Sequence, residues 1–384
     1  MKRMGQYVLM RLSIKSVASV ALILGIAFSL VSIRAAEPLP TQLSDDSFWK
    51  MITDFSEEGG YFRFENFLSN ELGFQMVIPQ LKEVTKPGGI YMGVGPEQNF
   101  TYIAALQPRM AFIIDIRRQN MLELMMYRAF FELSPDRADF LSHLFARKRP
   151  ARLDAKSTAE ELFASYDGAQ ADPLLFKKYL DDAKDLLVKQ HKFALSAQDL
   201  ENIGYVYRVF MESGPDLDYQ ATGGFGGGGG GSPTYGELMT MTDGQGKNRS
   251  FLGTEDAYRV VRDMEMKNLI VPLVGDFGGP KAIRNVAQYL KDHDAAVTAF
   301  YLSNVEQYLF QDSAWRRFYG NVETLPIDSS TQFIRTVNGG NIRGQFRGFG
   351  MRFLTLLSPI SGVLEAFQDG QVRTYNDVIR LSHQ

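Results

Sequence analysis

The chain has 384 residues, 45% hydrophobic and 22% charged, an ordinary balance for a globular protein with a sizeable core. Its 41 basic and 44 acidic residues leave a formal net charge of -3, which argues against the broad cationic surface a nucleic acid needs. The absence of cysteine excludes disulfides, thiolate nucleophiles, cysteine zinc sites and iron–sulfur clusters.

The first 36 residues differ from the rest. Lys2, Arg3, Arg11 and Lys15 precede an uncharged apolar run from Val17 to Ile33, and Ala35 and Ala36 follow it. A basic start, an apolar stretch and small residues are the parts of a secretory signal; the alternative is an uncleaved single-helix anchor. Either reading puts residues 37–384 outside the cytoplasm, periplasmic or extracellular, with the membrane contacted only through residues 1–36.

Beyond the leader, Leu39 to Phe55 reads as a helix entered through Ser44 and Asp45, and Phe74 to Thr85 as a second, ended by Lys86-Pro87-Gly88-Gly89. Ile90 to Val94 is a short apolar strand, Gly93 to Asn99 a turn, Phe100 to Leu106 a helix, and Met110 to Ile114 a second strand ending at Asp115. Residues of about 120–212 carry helical spacing without a strand, which predicts a helical insertion. Residues of about 213–233, with six glycines from Gly226 to Gly231, read as a disordered loop. Asn268 to Val274, Ala296 to Leu302, Gln332 to Val337 and Met351 to Leu357 are further strands, with helices at Glu255 to Met266, Ala282 to Leu290 and Val305 to Phe310. Alternation of continuous apolar strands with helices predicts an α/β fold, a three-layer Rossmann-like sandwich with a mainly parallel sheet, over residues 37–384.

Gly93-Val94-Gly95-Pro96-Glu97-Gln98-Asn99 sits where a strand ends and a helix begins, a place where glycines let a ligand approach the backbone and the helix offers free N–H groups. Asp115 closes the next strand, where an acid accepts both hydroxyls of a ribose; the competing reading is a structural turn and a solvated aspartate. Asp276, in Gly275-Asp276-Phe277-Gly278-Gly279-Pro280, is either a substrate-side acid or a turn aspartate. Ser303 to Glu306 is a rim contribution or a helix cap. Asn70 and Glu71 either reach the site from an entry loop or cap a helix, and Arg117 and Arg118 either pair with an anion or are solvated. The four histidines, His143, His191, His293 and His383, are too scattered to predict a metal site.

With those residues the chain resembles the class I S-adenosylmethionine-dependent methyltransferase fold, and more closely an uncharacterised bacterial family marked by the Gly93 to Asn99 turn, the Asp115-Ile116-Arg117-Arg118-Gln119-Asn120 segment and the Gly275 to Pro280 loop. The resemblance covers roughly residues 60–135 and 255–340. It implies Gly93 and Gly95 as the first two glycines of the cofactor turn and Asp115 as the ribose acid. Glu97 stands at the third glycine position and Tyr91 where the family usually has an acid; Glu97, Asn99, Asn70 and Glu71 are then further cofactor contacts. The implied cofactor is S-adenosylmethionine, the partner a small-molecule ligand or acceptor substrate, and the catalytic base Asp276 or Glu97. Because that cofactor is made in the cytosol while the leader points outward, the alternative is an exported or tethered binding protein on a non-catalytic methyltransferase scaffold.

Overall fold

A computed structural model describes residues 37–219, 232–338 and 353–383. The leader and the glycine run Gly226 to Gly231 lie outside the described residues. In chain order the elements are α1 (Asp45–Phe55), α2 (Ile78–Val84), β1 (Ile90–Gly93), α3 (Gln98–Leu106), β2 (Met110–Asp115), α4 (Arg118–Leu133), α5 (Arg137–Phe145), α6 (Ala159–Ala164), α7 (Pro173–Asp185) and α8 (Ala197–Ser213). They continue with α9 (Tyr235–Thr240), α10 (Glu255–Met266), β3 (Ile270–Val274), α11 (Ala282–Asp292), β4 (Val297–Ser303), α12 (Val305–Gln311), α13 (Trp315–Val322), β5 (Gln332–Asn338), β6 (Phe353–Pro359), α14 (Ile360–Gln368) and α15 (Tyr375–Arg380).

The fold is mixed α/β around one six-stranded sheet of order β3-β2-β1-β4-β5-β6. The first five strands are parallel, with Ile90 level with Met110 and Ala111 with Ile270, and β6 runs antiparallel to β5. Every residue of β1, β2 and β3 is buried, so both faces of that part of the sheet are covered, as their unbroken apolar runs require. The order reverses at β1, which lies between β2 and β4. Such a reversal leaves a crevice beyond the strands' carboxyl ends, because the connections on either side turn away from each other.

The expected helical segment after β2 is present, with no strand between residues 120 and 212. Its first helix, α4, is buried at every position from Asn120 to Phe131. Residues of that helix and its surroundings form an aromatic core: Phe131 lies 4.6 Å from Phe140 and 5.2 Å from Phe100, centroid to centroid. Arg118 grips Asp199 with two bonds of 2.7 and 2.8 Å, tying α4 to α8. Of the disordered loop expected at residues 213–233, residues 213–219 and 232–233 are described and take defined structure, a correction to that expectation. A short 3-10 turn spans Gly214–Asp216, and Tyr235 donates to the Leu217 carbonyl at 2.7 Å. The helix expected from Phe74 begins only at Ile78, after tight turns at 72–77. Helices α9, α13, α14 and α15, of six to nine residues, were not expected.

Among the described residues, no helix is long and apolar enough to cross a membrane.

Candidate functional site

The crevice at the β1/β4 reversal is a cleft of about 460 Å³. Four strand ends meet there: Val94 and Gly95 beyond β1, Asp115 to Arg117 beyond β2, Gly275 to Phe277 beyond β3, and Ser303 and Asn304 beyond β4. An irregular segment around residues 61–71 closes one side and contributes Asn70 and Glu71. Of the residues singled out in the sequence, Gly95, Asp115, Asp276, Asn70 and Glu71 therefore share one cleft. Gly93, Glu97 and Asn99 do not line it.

The glycine turn explains the division. A Cβ on Gly93 would stand 1.9 Å from Asn99 Oδ1, so this glycine makes room for a side chain of its own protein. Asn99 is fully buried behind the turn, where its amide donates to the carbonyls of Val94, Gly95 and Pro96 at 3.0, 3.1 and 2.7 Å and its Oδ1 accepts from the Tyr91 hydroxyl at 2.9 Å. Asn99 thus holds the turn rather than facing the cleft, and Tyr91 supplies the hydrogen bond that fixes it. Gly95 faces the cleft. Its φ of +77° suits only glycine, and a Cβ there would meet nothing nearer than 3.8 Å, so the turn leaves open space in front of it. Glu97 lies buried on the far side, one oxygen accepting from the Ser69 N–H at 3.3 Å, and burial pushes its carboxyl up to about 8.

Asp115 is almost fully buried and already engaged. Its Oδ1 accepts from the Arg117 backbone N–H at 2.8 Å and from Arg117 Nε at 3.2 Å, and its Oδ2 from Arg117 Nη2 at 3.3 Å. A carboxylate offers about four acceptor positions, so this pairing leaves one for a ligand and places a guanidinium in the cleft wall. Asp276 is half-buried and closes its own turn, Oδ1 accepting from the Gly278 N–H at 2.8 Å. The turn reading of this residue is thus correct for one oxygen, while the residue still lines the cleft.

Glu71 carries more of the site than the sequence suggested. It accepts from the hydroxyls of Tyr301 at 2.8 Å and Thr336 at 2.6 Å, and from that of Ser303. Burial raises its pKa, and those three hydroxyls work against the rise. Tyr301 in turn accepts from Gln98 Nε2 at 2.7 Å, which leaves Gln98 Oε1 buried in the cleft wall without a partner. Ser303 holds φ at +50°, a strained value for a residue with a Cβ, at the point where its hydroxyl meets Glu71. Glu306, by contrast, belongs to the core: it pairs with buried Arg335 at 2.8 Å and accepts from Tyr319 at 2.6 Å.

Gln98, Glu57 and the aromatic mouth escaped the sequence reading. Glu57 accepts from the backbone N–H groups of Asp276, Lys281 and Ala282 at 3.3, 3.0 and 3.0 Å, which pins the entry segment over the end of β3 and caps α11. At the mouth, Phe62 meets Tyr308 edge-on at 5.1 Å, and the Arg63 guanidinium lies 4.8 Å over Phe64. No motif marks Glu57, Phe62, Arg63 or Phe64, because an irregular segment has no period to read. Among the described residues no three histidine, aspartate or glutamate side chains converge as a metal site.

No curated protein matches the chain. A family model described as "Domain of unknown function (DUF7790)" matches residues 66–353, a stretch that takes in the glycine turn, Asp115, Glu71 and all of the strand ends at the cleft. Because that match spans three quarters of the 384 residues, the chain belongs to the DUF7790 family.

Proposed function

We propose that this chain is a three-layer Rossmann-like sandwich of the methyltransferase kind, and that its cleft takes a nucleoside-type ligand, S-adenosylmethionine or a close relative. The observation that carries the reading is the convergence of the Gly95 turn, Asp115, Asp276 and the Asn70-Glu71 loop at the carboxyl ends of strands flanking the sheet's reversal. The antiparallel β6 beside β5 is compatible with it, as many doubly wound sheets carry an antiparallel edge strand.

The residues present fit such a ligand. The open space before Gly95 admits a close approach to backbone, and the orphaned Gln98 Oε1 and the remaining acceptor position of Asp115 suit ligand N–H and O–H donors. Gly95, Asp115 and Gln98 would hold the ligand, the entry segment would exclude water, and Arg117 would fix the Asp115 carboxylate in place. S-adenosylmethionine supplies an electrophilic methyl group when bound. Removal of a proton from an acceptor falls to Asp276, whose second oxygen is free of its turn, or to Glu71; Glu97, on the far side of the turn, is set aside. Holding the two reactants in line would be the larger contribution.

The Asp115–Arg117 pair favours a second reading, a binding protein that has kept the scaffold without the chemistry, because the acid meant for the ribose is largely satisfied within the protein. With either reading we propose export or tethering through residues 1–36. Equilibrium binding followed by a methyl-transfer assay separates the two. Saturable one-to-one binding with turnover supports the enzyme, binding without turnover supports the scaffold, and no binding refutes the shared nucleoside-site reading.

A further inference from the structure

Behind the glycine turn, away from the cleft, the facing sides of α3 and α4 bury an unusual set of oxygens. Asn120 Nδ2 donates to the Gly95 carbonyl at 3.3 Å, and the Tyr127 ring meets Phe100 at 5.3 Å. These two contacts bring the segment Gly95–Phe100, which holds Glu97 just ahead of α3, against Asn120–Tyr127 of α4, which holds Glu123, and the two carboxylates feel each other's charge. On α4 the residues Asn120, Glu123 and Tyr127 form one stripe, three and four apart. Tyr235, from α9, reaches the same place, its ring 6.3 Å from Phe210, which in turn lies 5.8 Å from Tyr127.

Glu97, Glu123, Tyr127 and Tyr235 have no exposed surface and Asn120 has almost none. One oxygen of Glu97, both oxygens of Glu123, Asn120 Oδ1 and the hydroxyls of Tyr127 and Tyr235 lack a hydrogen-bond partner of sound geometry. The two hydroxyls are each other's neighbours within the cluster. The nearest cation, Arg117, is committed to Asp115. Native interiors leave few such groups unsatisfied, and a cluster of them calls for an explanation such as a bound ion or ordered water.

We propose that Glu97 and Glu123, with Asn120, Tyr127 and Tyr235, enclose a divalent cation of the calcium class. Six oxygen donors with no nitrogen or sulfur among them match a hard cation, and two carboxylates balance a double positive charge. Two neighbouring carboxylates cut off from water repel each other and lack solvation. A cation between them removes both penalties. The site buttresses the glycine turn from behind the cleft wall, through the Asn120–Gly95 and Glu97–Ser69 hydrogen bonds.

The test is elemental analysis of the purified full chain together with thermal unfolding after chelation and after return of calcium or magnesium alone. About one equivalent of a divalent metal per chain is expected. Adding that metal at a hundredfold excess over its Kd should raise Tm by about 5 °C. Glu123→Gln, with nearly the same volume, should lose that response while keeping its circular dichroism. Tyr127→Phe should weaken the response without abolishing it. If the parent contains no metal and its Tm ignores both cations, the proposal is overturned; so it is if Glu123→Gln responds as the parent does.

Discussion

Asn99 makes four hydrogen bonds behind the glycine turn, three to consecutive carbonyls and one from Tyr91, so the turn's shape depends on one side chain. Asn99→Ala strands those groups in a dry interior, and a loss of about 2–4 kcal/mol of stability is expected from unsatisfied buried partners. Urea unfolding checks it; a loss below about 1 kcal/mol would mean the turn holds itself. Gly95 acts on the other side of the same turn. Gly95→Val puts a branched side chain into the open space of the cleft at a φ of +77°, so ligand affinity should fall more than a hundredfold, beyond any change in folding. Asp276→Asn should leave affinity within about twofold and slow only turnover, measured by calorimetry and a transfer assay on the same protein.

The helices around α4 are held by ion pairs whose response to pH follows from their geometry. His191 lies between Glu132 and Asp45, each 2.9 Å from a ring nitrogen, and the Glu132 hydrogen bond leads in raising its pKa above 6.5 against the effect of burial. A group raised on folding contributes its full stability below its unfolded pKa and loses it as pH climbs through the folded one. Asp199 behaves in the opposite sense: Arg118 pulls it down to about 2, so its contribution is complete above 3.8 and disappears as pH falls toward 2. A Tm profile should accordingly decline through neutral pH, and His191→Gln should flatten the part above pH 6.5 that Glu97 and Glu265, raised by burial to about 8, do not supply, while leaving the acid limb unchanged. An alkaline limb identical in the variant would remove His191 from the account.

What was legible follows the same physics. The mostly apolar runs of β1 to β4 identify strands and their burial, because a strand covered on both faces carries few polar residues. The capping serine Ser44 marks the start of α1, and its Oγ does accept from the Ser47 N–H at 3.2 Å. Glu97 and Asn99 were placed with the ligand because they share a turn with Gly95. A turn has two sides, and sequence distance does not say which one a side chain faces. Glu71, Ser303 and Thr336 come together from positions more than 30 residues apart, so no local pattern announces them.

At the scale of the whole molecule, the reversal of strand order, the pinned entry segment and the clustered strand ends all point to the same crevice, while the buried Arg335–Glu306 pair holds the far edge of the sheet to the final helices through Ser358 and Ser382 at 2.7 and 2.8 Å. The proposed export and the proposed cofactor pull against each other, since S-adenosylmethionine is cytosolic and an exported domain would not meet it. Fractionation of cells making the full chain should recover it from membrane or extracytoplasmic fractions; recovery from the cytosol alone would overturn the leader and strengthen the enzyme reading.

The central claim is that the cleft takes a nucleoside through Asp115, and calorimetric titration of the parent and of Asp115→Ala with S-adenosylmethionine and its demethylated product tests it most directly. One-to-one binding by the parent is predicted, weakened roughly tenfold to a hundredfold in the variant, the range expected for loss of a hydrogen bond to a charged group. Equal affinity in parent and variant, or no binding by the parent, would contradict it.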